Sequence, residues 1–100
     1  MANNPDRYFA INYTKAADKF FFDHEDVRTQ YESAIRELLT GDHPEAIDCK
    51  RIKAKHADYY RIRIGKYRVI YTIIGRQIVV VNTLLAGSRG DVYKKMGGMK

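Results

Sequence analysis

The stretch from Asp58 to Ile74 leaves this chain little choice of fold. Tyr60, Ile62 and Ile64 alternate with Tyr59, Arg61 and Arg63, and the same period returns in Tyr67, Val69 and Tyr71. A side-chain period of two belongs to a β-strand with one buried face. Gly65 and Lys66 alone separate the two runs, and a two-residue connection with glycine first is the chemistry of a tight hairpin. So short a loop predicts the register: Ile64 faces Tyr67, Arg63 faces Arg68, Ile62 faces Val69 and Arg61 faces Ile70. Directly paired residues share a face. One face of the hairpin is therefore apolar and aromatic, and the other carries Arg61, Arg63 and Arg68.

The remaining elements are laid out around this hairpin. Arg7 to Tyr13 is rich in aromatic and β-branched residues and reads as a first strand. Thr14 is placed to cap a short helix ending at Phe22. Asp23 is expected to cap the next helix, with Asp26 in its first turn and Phe22 and Val27 as a hydrophobic staple. Val27, Tyr31, Ala34, Ile35, Leu38 and Leu39 recur at steps of three and four, so they form one helical face, and Gly41 ends it. Two helices so closely joined make an antiparallel hairpin. His43 to Ala57 has no clear period, contains Pro44, and reads as a loop or crossing segment. Gly75-Arg76 is a second turn. Gln77 to Leu85, with Ile78-Val79-Val80-Val81, is a strand suited to burial on both faces. Gly87 to Gly90 is expected to turn, Asp91 to Met96 to form a last helical turn, and Met96 to Lys100 to fray. The predicted fold class is α+β over a single domain, 1–100: an N-terminal strand, an antiparallel helical hairpin, three antiparallel strands in a twisted sheet, and a short C-terminal helical segment.

Charge bounds the partners. Residues 1–49 hold five basic and ten acidic residues, −5; residues 50–100 hold thirteen basic and two acidic, +11; together they give the net +6. A second half this basic is built for an anionic partner, nucleic acid or an acidic protein segment. No apolar run is long enough for a membrane span, no basic amphipathic helix suits a membrane surface, and the N-terminus lacks a signal pattern, so the expected location is the cytoplasm. Cys49 is the single cysteine, so no internal disulfide can form. With His24, His43 and His56 far apart in sequence, neither a metal nor another cofactor is expected.

The candidate site begins at the arginine face. Arg63 directly opposite Arg68 costs roughly 0.2–1 kcal/mol unless an anion lies between them, and a local inconsistency of this kind often marks a site. The alternative is an ordinary solvated sheet face whose charges discourage aggregation. Lys50, Arg51, Lys53, Lys55 and Lys66 are expected to extend the basic surface for RNA. Tyr59, the one tyrosine of its group on the arginine side, is expected to stack on an unpaired base. Arg89 and Tyr93 are four apart, so one helical turn presents both together.

Tyr60-Arg-Ile-Arg-Ile-Gly-Lys-Tyr-Arg-Val-Ile-Tyr71, then Ile78-Val-Val-Val81, then Gly87-Ser-Arg-Gly-Asp-Val-Tyr93, resembles the RelE/ParE superfamily of bacterial toxins. The order of elements is similar over essentially the whole chain. The closing Arg-x-x-x-Tyr is similar to the RelE branch, whose members are ribosome-dependent messenger-RNA endonucleases. The resemblance implies Arg61, Arg63, Arg68, Arg89 and Tyr93 as catalytic residues. The implied reaction is attack by a ribose 2′-hydroxyl on the adjacent phosphate, leaving a 2′,3′-cyclic phosphate and inhibiting translation. It implies as partners a cognate acidic antitoxin, the ribosome and messenger RNA, with DNA reached only through the antitoxin. Two other functions stay open: a ParE-like inhibitor of DNA gyrase, and a non-catalytic nucleic-acid-binding module or decayed toxin. The chain departs from the family pattern at Arg61 and Arg63, where well-known members carry lysines. Arginine stays protonated and is a poor general base, which leaves Lys53, Lys55, Lys66, His56 and Tyr93 as alternatives for that role.

Overall fold

Thr14 organises the N-terminal half. In a computed structural model, which describes residues 9–54, 58–75 and 79–97, its side chain accepts from the Ala17 amide at 3.2 Å and donates to the Leu84 carbonyl at 2.7 Å. One hydroxyl thus caps a helix and ties it to a strand seventy residues on. The elements run β1 (Phe9–Tyr13), α1 (Lys15–Phe22), α2 (Glu25–Thr40), a 3-10 turn (Pro44–Ala46), β2 (Cys49–Lys53), β3 (Asp58–Ile64), β4 (Tyr67–Ile74), β5 (Val79–Ser88) and α3 (Arg89–Gly97). The five strands form one sheet in the order β1-β5-β4-β3-β2, with β1 parallel to β5 and all other pairs antiparallel.

The hairpin has the register that its two-residue turn dictates, with Ile64 opposite Tyr67, Arg63 opposite Arg68 and Arg61 opposite Ile70. Gly65 has φ +59°, the left-handed conformation that a Gly-first turn requires and that a Cβ would strain. The run Val79-Val80-Val81 lies in β5, which is flanked on both sides, by β1 and β4, as a strand apolar on both faces requires.

α1 and α2 cover one sheet face. Ala17, Phe21, Val27, Tyr31, Ala34 and Ile35 pack there on Ile62, Ile64, Val69, Tyr71 and Val81. At its centre the Tyr31 hydroxyl meets the Thr83 hydroxyl at 2.6 Å, joining the only buried polar side chain of the described core to a helix. α3 covers part of the opposite face, where Val92 and Met96 pack on Ile70 and Leu85. Full burial of an aliphatic side chain contributes about 1.5–3 kcal/mol, so these two residues anchor the helix.

Four expectations need correction. Asp23 does not cap α2: it has αR backbone angles and ends α1, its amide donating to the Phe20 carbonyl while the His24 amide donates to that of Phe21. His24 holds the N-cap position, with no side-chain cap bond. The staple is absent as well, because Phe22 is 78% exposed. The two helices abut so closely that no extended residue stands between them to serve as a cap. The segment from His43 is not all loop: Cys49–Lys53 pairs with β3 as an edge strand, Cys49 opposite Ile62, so four antiparallel strands follow the helices. An edge strand with mixed lysine and arginine carries little apolar period, which hides it in sequence. Lastly, Gly87 and Ser88 continue β5, and α3 begins at Arg89 without an intervening turn. The predicted strand start at Arg7, the turn residue Arg76, the strand residues Gln77 and Ile78, and the tail beyond Gly97 lie outside the described residues.

Candidate nucleic-acid interface

Pairing alone orders the face opposite α1 and α2 into rows. Register carries Asp48, Arg63, Arg68 and Gly87 across one row, and Lys50, Arg61, Ile70 and Leu85 across the next. Gly87 has no side chain and Ile70 lies under α3, so the polar groups gather at the β2–β3–β4 side. Lys50 opposite Arg61 and Arg63 opposite Arg68 are both like-charged pairs, each unfavourable by roughly 0.2–1 kcal/mol.

The protein relieves this repulsion only partly. Arg63 Nε and Arg68 Nη1 both donate to the Gly65 carbonyl, each at 3.4 Å, and Arg68 Nη1 donates to the Tyr67 carbonyl at 3.2 Å. The hairpin turn thus holds two guanidinium groups side by side through long, shared bonds. Arg61 is different. Its side chain is 12% exposed, its Nη2 donates to Asp48 Oδ1 at 3.3 Å, and its Nε is buried without a hydrogen-bond partner. A nearly sealed cation with an unspent donor is costly, and an anion arriving on this face would find it oriented in advance. Asp48 Oδ2 lies 4.0 Å from Arg63 Nη1.

α3 contributes a wall through its helical geometry. With Val92 and Met96 facing the sheet, Asp91 and Lys95 project to one flank and Arg89 and Tyr93 to the other. The Asp91–Lys95 flank borders a cleft of about 420 Å³ against α1, lined also by Lys19, His24 and Tyr67. Arg89 and Tyr93 lie on the opposite flank, whereas Asp91 and Val92 stand over Gly87, the residue paired with Arg68. The Arg89 guanidinium lies 5.9 Å from the centre of the Tyr93 ring, and that ring is 41% exposed.

The other residues expected on this surface divide. Lys50 joins it, opposite Arg61. Arg51 and Lys53 stand in register with Tyr60 and Asp58 on the other face, and Arg51 pairs with Asp58 at 2.8 Å. The alternation of a strand separates them, a consequence unreadable while the segment passed for a loop. Lys66 lies at the hairpin tip with its Nζ 5.5 Å from the centre of the Tyr67 ring. Tyr59 packs beside the Ile70–Leu85–Val92–Met96 cluster under α3, which limits the ring face it offers to a base. Lys55 and His56 lie outside the described residues. Asp48 is the residue of this face that sequence reasoning missed. It falls in the apparent loop, and only the β2–β3 register sets it opposite Arg63.

Strand register gathers Lys50, Arg61, Arg63 and Arg68 on one face beside the Asp48 carboxylate. This arrangement suits a phosphodiester, whose displacement passes through a pentacoordinate phosphorus with growing negative charge that fixed guanidinium groups stabilise.

Known proteins agree with the architecture. The ParE toxin of the type II toxin–antitoxin system parDE matches residues 10–90. No curated protein sequence matches the chain. Two solved structures share its fold: the RelE–RelB complex of Pyrococcus horikoshii OT3, at TM-score 0.60 and 24% identity over 83% of this chain and 97% of that one, and the RelB–RelE antitoxin–toxin complex of Methanococcus jannaschii, at 0.56 and 23% over 84% and 96%.

Proposed function

The chain belongs to the ParE toxin family of type II toxin–antitoxin systems, within the RelE/ParE superfamily, and from that premise we propose that it acts as a ribosome-dependent messenger-RNA endonuclease. One observation carries this reading: Arg61, Arg63 and Arg68 share a sheet face on which the Arg61 side chain is held nearly buried. A binding-only surface gains little from holding a guanidinium nearly buried, whereas a surface that stabilises a transition state gains from every donor fixed beforehand. In the proposed reaction a 2′-oxygen attacks the neighbouring phosphorus, the bond to the 5′-oxygen breaks, and a 2′,3′-cyclic phosphate remains. Arg61, Arg63 and Arg68 hold the phosphoryl oxygens. Arg89 steers the backbone, and Tyr93 stacks on or orients the nucleotide. The ribosome supplies the programmed message, and an acidic antitoxin covers the basic face between episodes of activity, as the +11 charge of residues 50–100 favours.

A second reading, inhibition of gyrase without cleavage, is favoured by the family match itself. Induced expression in growing cells separates the two, with messenger-RNA 5′ ends mapped for the native chain and for Arg68→Ala and Tyr93→Phe. Growth arrest with new cuts inside translated messages, lost with Arg68→Ala, is the expected result. Loss of one transition-state donor lowers the cleavage rate about 100- to 1,000-fold. Arrest with intact messages and altered DNA supercoiling would replace this reading by the gyrase one. Soluble, folded protein with no arrest would leave a nucleic-acid-binding module.

A further inference from the structure

Arginine cannot accept the proton of a 2′-hydroxyl at neutral pH, so a surface built on Arg61, Arg63 and Arg68 lacks one necessary part. The structure supplies it from β2. Asp48 precedes that strand, and its backbone carbonyl accepts from the Arg63 amide at 3.0 Å, which fixes its position directly across from Arg63. Its Oδ1 contacts Arg61 at 3.3 Å, whereas its Oδ2 lies 4.0 Å from Arg63, outside hydrogen-bond reach. The side chain is 53% exposed. One oxygen is thus tethered, and the other, on a half-exposed side chain, makes no hydrogen bond among the described residues and lies beside the two cations that would hold a phosphate.

We propose that Asp48 is the general base of the arginine face, taking the 2′-hydroxyl proton of an RNA nucleotide whose phosphate is held by Arg61 and Arg63. This rests on the endonuclease reading above. The balance is simple. The 2′-oxygen gives its proton to Asp48 Oδ2 and its electron pair to phosphorus. The bond from phosphorus to the 5′-oxygen breaks, and that oxygen takes a proton from water or from the Tyr93 hydroxyl. Asp48 then returns its proton to solvent. The two arginines have separate work: they neutralise the phosphate, and Arg61 aims the carboxylate.

Asp48 has a rival role as a mere counter-ion, relieving repulsion among arginines until RNA displaces it. The two roles differ in sign. A counter-ion competes with RNA, so its removal strengthens binding and leaves cleavage intact or faster. A base is required for cleavage, and its removal abolishes the reaction whatever happens to binding.

The test uses the full chain, ribosomes programmed with a defined message, and single-turnover cleavage at several pH values. Binding of a single-stranded RNA oligonucleotide is measured in parallel by fluorescence anisotropy. Asp48→Asn keeps the size of the side chain and leaves the backbone bond to Arg63 in place. We expect it to cleave about 100- to 10,000-fold more slowly, to bind the oligonucleotide at least as well as the native chain, and to lose the acid limb of the pH–rate profile. Asp48→Glu is expected to recover part of the rate with that limb restored. If native protein cleaves and Asp48→Asn matches its rate, Asp48 is a counter-ion and this inference falls alone. If the native chain leaves the message uncut on programmed ribosomes, the endonuclease reading and the inference fall together.

Discussion

Tyr31 and Thr83 come together from α2 and β5, fifty-two residues apart, and their hydroxyls satisfy each other inside the main core. Removing one partner strands the other without water. Tyr31→Phe is therefore expected to lower stability by about 1–3 kcal/mol, read as a shift of the urea midpoint. The double variant with Thr83→Val is expected to lose less than the two single changes combined, because no polar group is then left unpaired. On the opposite face the decisive residues are cations. For single-stranded RNA the logarithm of affinity falls with the logarithm of salt by about 0.7 per phosphate neutralised. Arg68→Ala is expected to lower that slope by about 0.7 and to weaken binding equally for all sequences, as oligonucleotide titrations at three salt concentrations would reveal.

At the scale of elements, α3 is held by little. Ser88 caps it, its hydroxyl accepting from the Asp91 amide at 3.3 Å, and Val92 and Met96 are its buried anchors. Met96→Ala leaves a cavity beneath the last turn and is expected to cost about 2–3 kcal/mol of docking energy. Hydrogen exchange should then rise across residues 89–97 while β3 and β4 keep their protection. Because Arg89 and Tyr93 ride on this helix, the same variant should reduce the proposed RNA cleavage without touching an arginine of the sheet. At the junction of α1 and α2, the capping chemistry of Asp23 was legible as a type of residue but not as a position. Two helices that abut leave the aspartate as the C-cap of the first, where its amide donates back to the Phe20 carbonyl.

For the whole molecule, burial is the larger cause pushing the phenols of Tyr13, Tyr31 and Tyr71 upward, and Glu32 adds to it at Tyr13, whose hydroxyl it accepts. An unfolded tyrosine ionises near pH 10, while these three stay neutral in the fold. The stability they contribute is complete below that pH, and it drains away as pH rises above it, because the unfolded chain alone releases their protons. The urea midpoint is accordingly expected to hold steady up to about pH 9 and to fall between pH 10 and 11. Tyr71→Phe, which also frees Cys49 Sγ from its 3.4 Å contact with that hydroxyl, should make the fall shallower.

Local chemistry determined the hairpin. Period-two alternation, a glycine-first turn and the resulting register set Arg61, Arg63 and Arg68 on one face, because strand geometry and turn length act over a few residues and need no distant partner. The helical face of α2 and the Thr14 cap were legible for the same reason. Three things were settled only by tertiary structure. β2 is a strand because β3 offers it an edge, and its own residues carry no signal strong enough to say so. Thr83 and Leu85, two apart, would share a face in a regular strand. A bulge at Leu84, between the pairs Ile70–Leu85 and Tyr71–Thr83, sends one to the main core and the other under α3. Asp48 meets the arginines only because β2 pairs with β3, bringing a carboxylate from the acidic half of the chain against the basic half. Sequence distance hides such a contact; the sheet, which pairs residues by position across strands, creates it.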